Sequence, residues 1–278
     1  MKMKPVFIPL IALLAQLELR AIDYPHANAE PQKAGWPLTA EERTYVTEKA
    51  EHDRRPGRES NKHLPQLWPQ VATAGYFGGD AWLKLHEAHV KTVQANQGPI
   101  DVLLVGDSIT IQWADSWKIR FPDLKAVNIG IGGDKTQNVL WRLDHGGVEG
   151  LKPKAIVLMI GNNNMFFTPE TGIEAAAKGI EMCVKNLREK FPYASLVVAK
   201  ILPAHAPGVR FYEDIKMTNG ALDSLKLDSD AKVRLLDLWA DFTNADGTLR
   251  KELFTSDNIH LSPAGYGVYA QRLKPLLQ

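Results

Sequence analysis

The stretch Asp101-Val-Leu-Leu-Val-Gly-Asp-Ser-Ile-Thr110 decides how this 278-residue chain folds. Val102 to Val105 is apolar without alternation, the pattern of a strand buried on both faces. Gly-Asp-Ser then supplies turn and helix-start chemistry at once, so strand passes directly into helix. The same rhythm recurs downstream. Apolar runs at 101–106, 125–131, 155–160, 195–202 and 233–239 each end in turn residues. Helical patterns lie between them near 109–120, 136–143, 171–190 and 211–228. A last one, over 263–277, starts with Ser262 as N-cap and Pro263 at the first helical position. Strand–helix alternation of this kind predicts an α/β fold, a three-layer α/β/α sandwich around a five-stranded parallel sheet. It occupies 99–278 with no internal repeat or linker.

Upstream of that rhythm the chain reads differently. Lys2 and Lys4 precede a ten-residue apolar run, Val6 to Ala15, broken by Gln16 and Glu18. The run is too short for a bilayer, which takes about 20 residues, and fits a secretory leader over 1–21. Cleavage after Ala21 or after Ala29 is compatible with the small residues there. Export to a periplasm or beyond is the expectation, with no stable membrane insertion. Residues 22–98 read as an extension packed on the core. Thr39 caps a helix to about Glu51, and 52–80 is a loop rich in Arg, Pro, Gly and Gln. Asp80 to Gln97 is helical, with Trp82, Leu85, His86, His89 and Val93 on one stripe. Trp68, Tyr76 and Phe77 read as anchors of the loop, with cover for the site as the alternative. Arg54, Arg55 and Arg58 stand among Glu51, Asp53 and Glu59 as a solvated mixed face.

Composition removes several functions. Lys+Arg 33 against Asp+Glu 32 leaves +1, which gives no field for nucleic acid. One cysteine excludes an intrachain disulfide framework and any multi-cysteine metal centre. Cys183 shares a helix stripe with Ile173, Ala176, Ala177, Ile180 and Leu187, so it reads as core. His86-Glu-Ala-His89 lacks the His-Glu-x-x-His spacing of zinc helices, and no metal is expected. Gly130-x-Gly132 resembles a dinucleotide turn, but Lys135 holds the third glycine position. No cofactor is expected.

Ligands of a parallel sheet bind at the carboxyl ends of its strands. The residues there are Gly106-Asp107-Ser108, Gly130-Ile131-Gly132-Gly133, Gly161-Asn162-Asn163-Asn164, and Asp257-Asn258-Ile259-His260. They suit acyl transfer. Ser108 offers a hydroxyl at a strand-to-helix turn, where free N–H groups and the helix dipole favour an anion. A hydroxyl needs a base, and His260 can be that base. Asp257, three residues earlier, can fix the imidazole tautomer. Gly133 and the Asn163 amide can serve an oxyanion. The three donor-bearing loops become neighbours if strand one lies between strands two and three. Asp107, Asn164 and His205 are candidate substrate contacts. Asp107 alone also reads as a cap, and His205 either lines the site or sits in a solvated loop.

These four blocks resemble those of SGNH (GDSL-type) hydrolases: Gly-Asp-Ser-Ile-Thr at 106–110, Asn-Ile-Gly-Ile-Gly-Gly-Asp at 128–134, Gly-Asn-Asn-Asn at 161–164 and Asp-Asn-Ile-His-Leu-Ser at 257–262. With Val139-Leu-Trp-Arg-Leu143, they are most similar to the branch containing the catalytic subunits of intracellular platelet-activating factor acetylhydrolase. The resemblance spans roughly 100–278 and implies a flavodoxin-like sheet. It also implies Ser108 as nucleophile, Asp257 and His260 as its partners, and the Ser108 amide, Gly133 and Asn163 as oxyanion donors. Homodimerisation is a further implication of that branch. Two positions depart from the pattern: Asn164 replaces an acid, and Ile109 replaces the eponymous leucine. The resulting expectation is a secreted serine esterase for acetyl or other short acyl esters, with O-acetyl groups on carbohydrates as first substrate. A lipid esterase, or a silent binding module for carbohydrate or a partner, are the alternatives.

Overall fold

The computed structural model describes residues 79–277 apart from 168–171, 206 and 209. The leader over 1–21 with its cleavage sites, the helix ending near Glu51, and residues 52–78 with Arg54, Arg55, Arg58, Trp68, Tyr76 and Phe77 lie outside the described residues.

The elements run α1 (Gly79–Ala95), β1 (Gly98–Gly106), α2 (Ser108–Ile111), α3 (Ala114–Arg120), β2 (Ala126–Asn128), α4 (Thr136–Asp144), β3 (Leu151–Met159), α5 (Asn162–Phe167), α6 (Gly172–Lys190), β4 (Ser195–Ala199), α7 (Arg210–Ser224), β5 (Val233–Leu236), α8 (Trp239–Phe242) and α9 (Pro263–Leu273). All five strands are parallel, in the order β2-β1-β3-β4-β5. Leu103 stands beside Val127 on one side and Ile156 on the other. Strand order reverses at β1, so the loops after β1, β2 and β3 are neighbours at the crevice where such sheets hold ligands.

The unalternating apolar runs are explained by the two layers they feed. Ile100, Leu103 and Val105 of β1 enter a core with Ile156 and Leu158 of β3, Val139 and Leu143 of α4, and Ile180, Cys183 and Leu187 of α6. Val102 and Leu104 turn the other way, toward Val157 and Met159, Trp117 of α3, and Tyr266, Tyr269 and Leu273 of α9. Cys183 is buried, and burial pushes its thiol well above the ordinary range.

Several expected boundaries shift. The second strand covers only 126–128 of the expected 125–131. Ile129 and Ile131 still donate to Leu104 O (2.9 Å) and Gly106 O (3.2 Å), but from a chain curving into the following loop. The helix expected over 109–120 breaks between Ile111 and Ala114, giving α2 and α3. The fourth and fifth strands end at Ala199 and Leu236, the helix from 211 ends at Ser224, and α9 gives way to a 3₁₀ turn at 274–276. α5 was not expected.

The sequence reads Trp141 as the residue that packs α4 on the sheet. It instead faces α1, with ring centroids 5.3 Å from both Trp82 and His86, and His145 stacks on it at 3.9 Å. Each such aromatic pair contributes about 0.5–1.5 kcal/mol beyond burial. His86 Nε2 lies 2.8 Å from the His145 carbonyl. Burial pushes His86 down to about 3 and His89 to about 4.

Candidate active site

β1 delivers Ser108 to the carboxyl edge of the sheet. A Cβ at Gly106 would sit 2.1 Å from both Met159 O and Thr110 Oγ1, so only glycine lets this turn close. Asp107 then caps α2, its Oδ1 accepting the Ile109 N–H at 3.0 Å. Burial pushes the Asp107 carboxyl up to about 7, aided by the nearby Asp134 charge and opposed by the Ile109 bond. The dipole expected behind Ser108 is reduced, because α2 holds only four residues and few peptides align. The local N–H groups remain. From the far end of the chain, Tyr266 Oη of α9 donates to Ile109 O at 2.7 Å and pins α2.

The loop before α9 brings the imidazole. Asp257 Oδ1 accepts N–H bonds from Ile259 (2.9 Å) and His260 (3.0 Å) and the Thr255 hydroxyl bond (2.7 Å). This Asx-type turn carries Asn258 at φ +56°. Asp257 Oδ2 lies 2.6 Å from His260 Nδ1, and His260 Nε2 lies 2.9 Å from Ser108 Oγ. Burial works against the Asp257 charge, but the His260 ring, the two amides and Thr255 outweigh it and hold this carboxyl far below the usual range. A carboxylate on Nδ1 fixes the neutral ring as Nδ1–H, leaving Nε2 to accept the serine proton.

The loop after β2 closes the third side. Asn128 Nδ2 donates to Thr110 O at 2.7 Å, while its Oδ1 accepts Gly130 N–H at 2.9 Å. Gly130 passes so close to α2 that a Cβ would meet Ile111 N at 2.6 Å and Asp107 O at 2.9 Å. Gly133 sits at φ +80°, where glycine is favoured. Asp134 follows, buried and paired with Arg142, whose Nε and Nη2 both reach Oδ2 (2.9 and 2.7 Å). Burial raises the Asp134 carboxyl and Arg142 opposes that rise. Asn163, at the start of α5, donates through Nδ2 to Asp134 O at 2.9 Å and approaches Asp107 Oδ2 at 3.5 Å.

Ser108, Asp257 and His260 are thus brought into one chain of contacts, and Gly133 and Asn163 belong to the loops beside it. Two candidate substrate contacts are corrected. Asn164 is buried: its Oδ1 accepts Thr136 N–H at 3.0 Å and its Nδ2 donates to Thr136 Oγ1 at 2.9 Å, so it ties α5 to α4. An amide does both jobs, which an acid at that position could not. Asp107 is a buried cap. His205 stays at the site's rim. It holds φ +66°, donates its backbone N–H to Asn258 O at 2.9 Å, and meets Phe211 edge-on at 5.0 Å. Sequence reasoning assigns no site role to Asn128, Trp82, Asp134 or Arg142. Arg142 lies within the segment that carries the resemblance, but its pairing with Asp134 shows only in the folded protein. Among the described residues, no group of three or more His, Cys, Asp or Glu could hold a metal ion, and no helix is long and apolar enough to cross a membrane.

A serine hydroxyl bonded to imidazole at the carboxyl edge of a parallel sheet, beside amide-rich loops, defines the class of α/β carboxylic ester hydrolases. Known proteins agree. The GDSL-like lipase/acylhydrolase family matches residues 104–268. The chain is 35% identical over 204 residues to platelet-activating factor acetylhydrolase IB subunit alpha2 of Rattus norvegicus, covering 72% of this chain and 85% of that one. A Streptococcus pneumonia protein provisionally assigned as a platelet activating factor superposes with TM-score 0.62 at 25% identity, over 70% of this chain and 92% of its own. Axe2, an acetylxylan esterase from Geobacillus stearothermophilus, shares the fold with TM-score 0.51 at 16% identity, over 64% and 94%. The chain belongs to the GDSL-like lipase/acylhydrolase family and is a carboxylic ester hydrolase.

Proposed function

We propose that the protein hydrolyses acetyl and other short acyl esters through Ser108, His260 and Asp257 and a covalent acyl-enzyme. The observation that carries this is the unbroken contact chain, 2.9 Å from Ser108 Oγ to His260 Nε2 and 2.6 Å from His260 Nδ1 to Asp257 Oδ2. Ser108 Oγ attacks the ester carbonyl as His260 takes its proton. The Ser108 and Gly133 amides and the Asn163 side chain hold the oxyanion. His260 then protonates the leaving alcohol, and a water activated by the same ring releases the acid.

Acetyl specificity draws support from the acetylhydrolase name of relatives 35% identical over 204 residues. We infer export from the charged start and short apolar run within 1–21, and that compartment favours O-acetylated carbohydrate as substrate. Ser108→Ala is expected to abolish p-nitrophenyl acetate hydrolysis with unchanged circular dichroism; retained turnover refutes the nucleophile. Acetate release from acetylated glycans and from acetylated phospholipids, beside a chain-length series of nitrophenyl esters, tests the substrate. Preference for octanoyl or longer esters rejects the acetyl reading. Release from phospholipid alone assigns the lipid class instead. Folded protein that a fluorophosphonate fails to label is a binding module.

A further inference from the structure

We propose that Trp82 is a positioning residue for ester hydrolysis: its indole N–H fixes Asp134, and through the Asp134 carbonyl it fixes the Asn163 amide at the oxyanion. This rests on the site reading given above. Trp82 belongs to α1, which precedes the family match at 104–268, so the positioning group comes from outside that matched segment.

Trp82 Nε1 donates to Asp134 Oδ1 at 2.7 Å, and Trp82 is only 1% exposed. Arg142 occupies the other oxygen from one side only, both of its contacts falling on Oδ2. Arg142 is itself anchored, donating to Ile129 O at 2.7 Å on the loop that leads to Gly133. With Arg142 alone, the carboxylate can swing about Oδ2. The indole on Oδ1 removes that freedom and sets the orientation of the residue. Asp134 is the residue after Gly133, and its N–H closes a turn on Ile131 O at 3.2 Å. Fixing its side chain therefore fixes the peptide that follows the Gly133 amide.

The second arm runs through the Asp134 carbonyl. A side-chain amide carries two N–H donors. Asn163 commits one to Asp134 O at 2.9 Å, which sets the amide plane. The remaining contact, 3.5 Å to Asp107 Oδ2, is long enough to be exchanged for an oxyanion. Both non-nucleophile donors thus hang on one residue whose orientation Trp82 completes. A purely stapling role for Trp82, holding α1 on α4 through Trp141 and His86, makes a different prediction: stability falls and turnover does not.

The experiment compares full-length wild type, Trp82→Phe, Trp117→Phe and Ser108→Ala on p-nitrophenyl acetate, well below each melting temperature. Trp82→Phe keeps an aromatic ring against Trp141 and deletes the donor. Loosening a donor costs less than removing it, so the expected loss in kcat is about tenfold with KM within about twofold. Trp117→Phe perturbs the opposite layer, where Nε1 makes only a 3.4 Å contact to Leu124 O. It is expected to lower Tm with kcat unchanged, showing that lost stability alone does not slow turnover. If Trp82→Phe does not fold, benzothienylalanine at position 82 deletes the N–H while keeping the bicyclic shape, and the same tenfold loss is expected. Unchanged kcat in the donor-free protein, whatever its Tm, overturns the proposal. An inactive Ser108→Ala beside it confines the failure to Trp82; an active Ser108→Ala brings down the underlying site reading instead.

Discussion

Asp257→Asn is nearly isosteric, yet the site makes it severe. Asn Oδ1 can go on accepting from Ile259, His260 and Thr255, so the loop keeps its shape. The replaced Oδ2 becomes an NH₂ facing His260 Nδ1 across 2.6 Å. Two donors cannot face each other, so the ring proton moves to Nε2, which can then no longer accept from Ser108. The attraction between the carboxylate and the imidazolium formed during attack is also lost. At about 2.6 Å, Coulomb's law gives about 6 kcal/mol at an effective dielectric of about 20 and about 1.6 kcal/mol in bulk water. The Asp257 side chain is 44% exposed, so screening draws the value toward the lower end. About 3 kcal/mol from charge, together with the wrong tautomer, gives a loss on the order of 10²- to 10³-fold in kcat. Steady-state hydrolysis of p-nitrophenyl acetate reads this, with KM expected near wild type. A loss below about tenfold, or one carried by KM alone, refutes the role given to Asp257.

Asn163→Ala is expected to cut kcat by about 10²-fold, the usual cost of one oxyanion donor; wild-type kcat would remove Asn163 from the oxyanion set. Gly130→Ala places a methyl 2.6 Å from Ile111 N and 2.9 Å from Asp107 O, both backbone atoms that cannot rotate away. Overpacking of about 1–3 kcal/mol follows, seen as a drop in Tm of about 2–4 °C per kcal/mol with slower turnover as α2 shifts. Acid stability follows from His86 and His89. Folded, they refuse protons down to about 3 and about 4, while unfolded they titrate near 6.5. The unfolded state therefore binds more protons below about pH 6.5, so stability is full above that pH and falls as pH drops. At pH 5 each histidine costs about 2 kcal/mol. Melting curves from pH 7 to 5 should show a shallower decline in His86→Gln, which has no ring to titrate; an unchanged slope rejects the assignment.

The alternation of apolar runs with helical periodicity was enough to give the layers and the parallel sheet, because the central strands β1, β3 and β4 carry runs buried on both faces. The strand-end position of Ser108 was equally legible, since turn chemistry after a buried run is local information, whereas Asp257 and His260 stand beyond α8 and enter from the loop before α9. What the sequence hid is what depends on contacts between distant segments. Trp141 reads as a sheet-facing apolar residue by helical spacing, yet its partners are Trp82 and His86 on a preceding helix. Arg142 and Asp134 look like surface charges until the fold buries them against each other. Asn164 sits one position from Asn163 with the same side chain, and only the start of the helical turn at 162 sends one toward Asp134 and the other toward Thr136. The break after Ile111 was hidden because both halves carry the same helical pattern.

The serine and the imidazole that touch at 2.9 Å stand 152 positions apart in the chain. During synthesis from the amino end, the hydroxyl leaves the ribosome long before the ring that contacts it, and the helix that pins α2 through Tyr266 is made later still. Under the proposed mechanism, a nascent or prematurely terminated chain therefore holds an inert alcohol, and only the finished, docked carboxyl-terminal segment converts it into a reagent. Ester turnover in a translation mixture should accordingly lag behind the appearance of earlier epitopes and track full-length product alone.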